Sequence, residues 1–283
     1  MENHDWMRDL KLNTKNEIII LKLGGSLLTD KNKPKSIRED VIKSAVQQII
    51  DANVKLILIH GGGSFGHPLA KQYAISKGID SNIKNQIIGL TKTHYAMNEL
   101  NSFIVNLFLE KGFPTLSIQP SSIFIKNSND IYLPSIDIIE MALNLNILPI
   151  LYGDILLDTQ GSFSILSGDQ IIFNLCASIK KFQISKVIFT METDGIYIID
   201  KEGDKNNPIL ATDLYSNQLE FLNLANLEQK IDVTGGIVGK INSIKQICDR
   251  NIPVQLINGL KNNYIYKSLK NQKINCTNVL IDS

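Results

Sequence analysis

The stretch of the chain best suited to chemistry is a run of glycines enclosed by two histidines. Residues 60–67 read His-Gly-Gly-Gly-Ser-Phe-Gly-His, and they follow a short apolar segment, residues 56–59. Such a segment predicts a buried strand, and glycines let the backbone after it approach a ligand closely. If a helix begins near Phe65 or Gly66, its unpaired N–H groups favour an anion at this loop. The flanking imidazoles can donate hydrogen bonds to it, a pattern typical of a phosphate site.

A second glycine turn follows the apolar segment at residues 17–23. Lys22 lies at its tip, and Gly24, Gly25 and Ser26 come after it. A lysine inside an aliphatic run costs free energy unless its ammonium meets an anionic partner. The alternative interpretation is a lysine on an edge strand whose ammonium reaches water.

Further glycine turns follow other predicted strands. Gly153 ends the apolar run at residues 147–152, and Gly236 precedes a predicted helix that carries a lysine in its first turns. Ligands of open parallel sheets bind at the carboxyl ends of the strands, so these turns predict a single cleft. The lysines expected to converge on it are Lys22, Lys31 and Lys240.

The elements that must position these residues alternate between strand and helix. A helical stretch at residues 37–52 joins the first two predicted strands, which indicates a strand–helix–strand unit and hence a parallel sheet. Residues 84–111 carry apolar side chains at helical spacing, so one long helix or two short ones are expected there. Residues 167–169, Ser-Gly-Asp, are expected to cap a further helix. We find no internal repeat and expect an α/β fold.

Composition excludes several classes of protein. With 283 residues, 43% hydrophobic and 20% charged, the chain can bury a large core, and its net charge of +1 gives no electrostatic case for nucleic acid. Residues 1–16 are a polar tail without the apolar core of a signal peptide. No apolar run approaches the length needed to span a membrane. The cysteines are few and widely spaced, which favours a reducing cytoplasm over disulfides or zinc; they are Cys176, Cys248 and Cys276.

The clustered lysines and glycine turns suit phosphoryl transfer. Its transition state spreads negative charge over the moving group, so cations and N–H donors supply most of the catalysis. The alternative is a dinucleotide site, because Gly61, Gly63 and Gly66 fit the spacing GxGxxG. That interpretation needs an acidic residue at the end of the next strand, and Asp80 lies instead in a polar stretch.

Seven segments together carry a family resemblance. They are residues 21–26, 29–31, 60–67, 152–154, 167–169, 194–197 and 232–236, which read LKLGGS, TDK, HGGGSFGH, YGD, SGD, DGIY and DVTGG. With these motifs the chain resembles the amino acid kinase superfamily and, within it, the archaeal-type isopentenyl phosphate kinases. The resemblance implies a three-layer αβα sandwich around a mainly parallel sheet. It also implies a phosphoacceptor-binding lobe at 17–178 and a nucleotide-binding lobe at 179–283, sharing that sheet.

The same resemblance implies an activity and roles for residues. The γ-phosphoryl of ATP would pass to isopentenyl phosphate, giving isopentenyl diphosphate for isoprenoid biosynthesis. Mg²⁺ would arrive bound to ATP, without a metal site of protein ligands, and the enzyme would be a cytoplasmic homodimer. The implied catalytic residues are Lys22, Lys31, His67 and Asp169. The implied ATP contacts are Lys22, Gly24, Gly25, Ser26, Gly62, Asp194, Gly236 and Lys240. The implied contacts of the acceptor phosphate are Gly61, Gly66, His67 and Gly153.

Two other functions are compatible with these motifs. A fosfomycin-type resistance kinase shares the fold, although that branch tends to lack a histidine at position 60. A noncatalytic nucleotide-binding sensor would keep the glycine turns but could lose Lys22, Lys31 and His67, all of which are present. Residues 191–193, Met-Glu-Thr, depart from the Thr-Asp-Val that is common in relatives, which bears on nucleotide preference.

Overall fold

The computed structural model describes residues 16–30, 32–128, 130–198, 208–221 and 236–281. The predicted N-terminal tail, Lys31 and the glycine turn at 232–235 lie outside these ranges, apart from Asn16. Within them, we find no helix whose length and apolar character would let it cross a membrane.

The described ranges contain fourteen strands and nine α-helices. The strands are β1 (Glu17–Leu23), β2 (Leu56–His60), β3 (Thr115–Ser117), β4 (Ile125–Asn127), β5 (Asp130–Tyr132), β6 (Leu148–Tyr152), β7 (Asp154–Asp158), β8 (Ser162–Leu166), β9 (Gln183–Met191), β10 (Tyr197–Ile198), β11 (Ile209–Leu210), β12 (Asp213–Tyr215), β13 (Val254–Asn258) and β14 (Thr277–Leu280). The helices are α1 (Gly25–Leu28), α2 (Glu39–Ala52), α3 (Gly63–Gln72), α4 (Gln86–Glu110), α5 (Pro120–Ile123), α6 (Asp137–Asn144), α7 (Gly168–Ser178), α8 (Gly236–Cys248) and α9 (Tyr264–Leu269).

Eight strands form one sheet in the order β12-β14-β13-β9-β1-β2-β6-β3. Every pairing in it is parallel except that of β13 with β14. The predicted parallel sheet is therefore confirmed. Because β1 lies in the middle of the sheet, the interpretation of Lys22 as an edge-strand lysine is wrong.

Alternating side chains of each central strand build two cores. On β1, Ile18 and Ile20 pack on one face with α7 and α8, while Leu21 packs on the other face with α2 and α4. Successive residues of a strand point to opposite faces, so an uninterrupted apolar strand must be covered on both sides. This arrangement confirms the predicted αβα sandwich.

Several local elements complete this architecture. The segment at 84–111, predicted as one long helix or two short ones, is a single helix, α4, in which Ile87 and Ile88 are exposed and do not join the buried stripe. The short helix α5 follows β3. Strands β7 and β8 form a hairpin, and β4 and β5 extend it into a separate four-stranded sheet. A 3₁₀ turn at Ser216–Phe221 follows β12.

Candidate active site

The two predicted phosphate loops lie side by side at the carboxyl edge of the sheet. Strands β1 and β2 pair in parallel, with Leu23 opposite His60, so the turns that follow them meet. A Cβ added at Gly25 would come within 2.4 Å of the Gly63 nitrogen, and one at Gly61 within 2.7 Å of the Gly25 nitrogen. Gly63 also has a φ of +46°, which favours glycine. Glycine is therefore needed here because the two loops contact each other closely, whether or not a ligand also binds them.

The hydroxyl of Thr29 holds these loops together. It donates to the carbonyl of Gly25 at 2.8 Å and accepts the N–H of Ser64 at 2.8 Å. The Thr29 side chain is fully buried. One hydroxyl thus fixes the spacing between the turn after β1 and the turn after β2.

Helix α3 begins at Gly63, two or three residues before the expected start near Phe65 or Gly66. Thr29 takes the N–H of Ser64, and the Gly62 carbonyl takes those of Phe65 and Gly66. Gly61 donates its own N–H to Leu23. Among the described residues this leaves the amides of Gly62 and Gly63 as donors for an anion, which is the usual property of a helix N-terminus.

Lys22 and Asp169 form an ion pair within the site. The Lys22 ammonium lies 2.5 Å from Asp169 Oδ1, and the two side chains are only 12% and 15% exposed. Asp169 belongs to the first turn of α7, which a capping box between Ser167 and Gln170 fixes in place. Gly168 leaves room for the lysine, because a Cβ there would come within 3.1 Å of Lys22 Cε.

A second lysine approaches the same carboxylate. The ammonium groups of Lys22 and Lys240 lie 5.7 and 5.5 Å from the centroid of the Phe189 ring, which is a favourable position for a cation. Burial would raise the pKa of Asp169, but the charges of Lys22 and Lys240 outweigh burial and lower it. The site therefore contains two cations and one carboxylate, and the structure brings Lys22, Lys240 and Asp169 together.

Asp169 lines a cleft of about 400 Å³. Its walls come from α7, α8, the four-stranded sheet and the 3₁₀ turn Ile75–Lys77, and include Ser76, Lys126, Ile165, Ser167, Gly239 and Ser243. The volume lies in the range of pockets that hold small-molecule ligands. Ile165 also packs against a small buried apolar cluster apart from both main cores, formed by Ala70, Ile75, Leu90, Ile155 and Phe163. Ile165 thus connects the polar cleft to this apolar cluster.

Five further residues predicted for the site lie in or next to the helices α1, α3 and α8. His67 lies in α3, partly exposed, and Ser26 lies in α1, also partly exposed. Gly62 and Gly66 pack against the sulfur of Met97, which would lie 2.8 Å from a Cβ at either position. Gly236 begins α8.

Two predicted ligand contacts are already bonded within the protein. Gly153 donates its N–H to the carbonyl of His60 at 3.0 Å. The carboxylate of Asp194 forms an ion pair of 2.8 Å with Lys261 and accepts a hydrogen bond from Asn258 at 3.1 Å. Both residues therefore fix the loops around the site in this structure.

His60 and His94 behave differently from what their sequence context suggests. His60 is fully buried, and burial lowers its pKa to about 4, so it cannot serve as a cation for phosphate. His94, which the motifs did not indicate, lies 2.7 Å from the buried carboxylate of Asp154. The sequence motifs could not indicate this ion pair, because Asp154 lies 60 residues further along the chain than His94. In the described ranges no group of three or more His, Cys, Asp or Glu side chains could hold a metal ion.

The sequence and the fold both match known proteins. The model of the amino acid kinase family matches residues 17–258. An isopentenyl phosphate kinase of Methanocaldococcus jannaschii is 34% identical over 89% of this chain and 95% of its own length. The chain belongs to the amino acid kinase family, in its isopentenyl phosphate kinase branch.

Other members of the branch agree with this assignment. The isopentenyl phosphate kinase of Methanothermobacter thermautotrophicus is 30% identical, over 93% of this chain and 98% of its own. A solved structure of an isopentenyl phosphate kinase superposes with a TM-score of 0.78 at 27% identity, covering 93% of this chain and 99% of that one. Family membership makes the chain a phosphotransferase that uses ATP, and the two-lysine site is suited to that chemistry.

Proposed function

We propose that this enzyme transfers the γ-phosphoryl group of ATP to isopentenyl phosphate, giving isopentenyl diphosphate. The observation that carries the proposal is the convergence of Lys22 and Lys240 on Asp169, beside two touching glycine turns. The motif resemblance and the relatives named isopentenyl phosphate kinase support the choice of substrate.

In this proposal Lys22 stabilises the moving phosphoryl group. Charge develops on the equatorial oxygens as the group leaves ADP, and a fixed ammonium lowers the energy of that state without reorganisation. Asp169 holds the ammonium in place and offsets the repulsion between the two lysines. Lys31 would add a second positive charge, and Lys240 would contact the ATP phosphates.

The acceptor would bind along α3. The free amides at Gly62 and Gly63 suit its phosphate, and His67, one turn further along the helix, would donate to the same group. The hydrocarbon would lie against the apolar cluster that contains Leu90, Ile155 and Phe163, since Ile165 joins this cluster to the cleft. This placement puts the reacting phosphate between the hydrocarbon and ATP.

MgATP is the substrate form in this scheme. Mg²⁺ keeps several water ligands and is usually bound through substrate phosphates together with one or two carboxylates. The carboxylate closest to the expected phosphates, Asp169, is bound to Lys22. We therefore propose that the ATP phosphates supply most of the Mg²⁺ ligands other than water.

The organisation of the enzyme in the cell is also a proposal. Two lobes at 17–178 and 179–283 would bind acceptor and nucleotide, and two copies of the chain would form a homodimer. The three buried cysteines, Cys176, Cys248 and Cys276, form no disulfide, which supports a reducing cytoplasm as the location.

Acceptor specificity tests the proposed function. Initial rates with MgATP should be measured for isopentenyl phosphate, dimethylallyl phosphate and fosfomycin, and kcat/KM compared. We expect isopentenyl phosphate to give the highest value. Turnover of fosfomycin without turnover of isopentenyl phosphate would assign a resistance kinase instead. ATP binding without turnover of any acceptor would assign a sensor.

A further inference from the structure

Helix α4 presents a row of polar side chains to the carboxyl ends of β2 and β6. His94, Asn98 and Asn101 follow each other at intervals of four and three residues, so they lie on one face of the helix. That face otherwise carries buried apolar residues such as Leu90 and Met97. Buried polar groups cost free energy unless they are hydrogen-bonded, so the partners of this row indicate what it holds.

Three hydrogen bonds run in sequence through the row. The hydroxyl of Tyr152 donates to Asn98 Oδ1, and Asn98 Nδ2 lies 2.9 Å from His94 Nε2. His94 Nδ1 lies 2.7 Å from Asp154 Oδ1. Because Nε2 accepts from Asn98, Nδ1 carries the proton that is donated to Asp154. Tyr152 and Asp154 are the residues on either side of Gly153, so this chain of bonds ties both flanks of the glycine to α4.

The carboxylate of Asp154 is the most buried and most hydrogen-bonded group of this chain of bonds. Its side chain has no exposed surface, and it also accepts the backbone N–H groups of Ser121 at 3.1 Å and Ile155 at 2.8 Å. The hydrogen bond to Asp154 raises the pKa of His94. A buried carboxylate that accepts hydrogen bonds from three fixed donors has little freedom to move.

The other side of Gly153 is held by β2. Gly153 donates its N–H to the His60 carbonyl at 3.0 Å. The His60 ring stacks on Tyr152 with centroids 5.5 Å apart and an angle of 20° between the planes. Its Nε2 lies 3.3 Å from Asn101 Oδ1. The end of β6 and the start of the acceptor loop at Gly61 are therefore fixed to one helix face.

His94 also stands between two parts of the proposed acceptor site. Leu90, one turn before it, belongs to the apolar cluster. Met97, one turn after it, packs against Gly62 and Gly66. Ile155, next to Asp154, is again a member of the apolar cluster.

We propose that His94 is a positioning residue, which holds the turn at Gly153 through Asp154 and thereby sets the acceptor's phosphate relative to its hydrocarbon. The inference rests on the proposed function and deepens it. His94 has both ring nitrogens bonded within the protein, so it acts through the turn and not by touching the substrate.

Three variants test this role through its separate bonds. In His94→Asn the amide nitrogen takes the place of Nδ1 and keeps the bond to Asp154. His94→Ala removes both bonds, and Tyr152→Phe removes only the hydroxyl at the other end. Asn106→Ala is the matched control, because Asn106 lies on the same helix and its side chain donates to the carboxylate of Glu110 at 2.7 Å on an exposed surface.

We expect His94→Ala to raise the KM for isopentenyl phosphate by about tenfold or more, since a bond to a charged group is lost, and to change the KM for ATP less than twofold. His94→Asn should recover most of the loss, Tyr152→Phe should show a smaller shift in the same KM, and Asn106→Ala should show none. Equal changes in both KM values, or an unchanged acceptor KM in folded His94→Ala, would overturn the inference. If His94→Ala does not fold, Tyr152→Phe decides the question: an unchanged acceptor KM in that variant, or equal changes in both KM values, would overturn the inference.

The wild-type enzyme separates this inference from the proposed function. If wild type does not phosphorylate isopentenyl phosphate, the proposed function fails. If wild type is active and the acceptor KM is the same in every His94 and Tyr152 variant, the proposed function stands and the positioning role fails.

Discussion

Lys22 and Asp169 lie 147 residues apart in the chain, and their charged atoms meet at 2.5 Å. Lys22 comes from a central strand and Asp169 from the first turn of α7. Both side chains are mostly buried, so the pair is less screened by solvent than a surface ion pair.

Lys22→Ala should lower kcat on the order of a hundredfold or more, because the ammonium acts chiefly on charge that develops in the transition state. The KM for ATP should change much less. Steady-state kinetics with MgATP and isopentenyl phosphate measure both values. Lys43→Ala is the matched control, since Lys43 forms an ion pair of 2.6 Å with Glu39 on the exposed surface of α2. A folded Lys22→Ala enzyme with wild-type kcat would exclude the role given to Lys22.

Asp169→Asn should weaken the fold in a pH-dependent way. The pKa of Asp169 is lowered from its ordinary value of 3.8, so its charge stabilises the folded state above that value, and the contribution is lost as pH falls through the lower folded pKa. Wild type should therefore be more stable than Asp169→Asn at pH 6, and the difference should shrink below about pH 4. Thermal unfolding across this range measures the difference in Tm. A difference that stays constant down to pH 2 would show that the charge is not responsible.

Thr29→Val should lower kcat about tenfold while Thr29→Ser retains most of it. Valine keeps the shape but leaves the Ser64 N–H without its acceptor, which costs about 1–3 kcal/mol, and the two glycine turns lose their common bond. Thr93→Val is a close control, because Thr93 is also buried and donates 2.8 Å to the carbonyl four residues before it, Gly89, without a second bond. Equal loss of kcat in Thr29→Val and Thr93→Val would contradict a specific role for Thr29.

Ile165→Ala should let longer prenyl phosphates compete better as acceptors. Ile165 lines the cleft and packs against the apolar cluster, so its loss opens space for additional CH₂ groups, each worth about 0.8 kcal/mol when buried. The ratio of kcat/KM for geranyl phosphate over isopentenyl phosphate measures the effect. Ile184→Ala, which shortens an equally half-buried isoleucine on β9, should leave the ratio unchanged. If the ratio changes in neither variant, the hydrocarbon does not bind at Ile165.

Met97, on the buried stripe of α4, is a less suitable wall for the acceptor's hydrocarbon than its apolar character suggests. Met97 instead packs beneath Gly62 and Gly66, so shortening it would disturb the loop before it enlarged a pocket. The apolar cluster around Ile155 and Phe163 is the better candidate.

Local patterns were sufficient to predict most of the fold. Apolar runs of four to seven residues that lead into glycine turns predicted β1, β2 and β6 within a residue at each end. The Ser-Gly-Asp motif at the start of α7 predicted a cap, and a full capping box is present. Strand runs and helix caps are formed by residues within a few positions of each other, so they can be predicted from the sequence.

The parts of the site that depend on distant residues could not be predicted in the same way. The pairing of His94 with Asp154 and the bond from Thr29 to Ser64 require the packing of α4 and α3 against the sheet. The bond from the Gly153 N–H to His60 depends on the register between β6 and β2. The glycine turns at the strand ends predicted that Lys22 and Lys240 converge, whereas their shared aromatic neighbour, Phe189, was not expected.

The central claim is that the γ-phosphoryl group of ATP moves to the phosphate of isopentenyl phosphate. ³¹P NMR of the enzyme with MgATP and isopentenyl phosphate follows all reactants in one sample, and Lys22→Ala serves as the blank for contaminating kinases. We predict that the γ-phosphate signal of ATP and the monophosphate signal of isopentenyl phosphate decline together, as the two coupled signals of a diphosphate ester and those of ADP appear. Release of inorganic phosphate without a new diphosphate ester, or an unchanged spectrum with folded protein, would contradict the account.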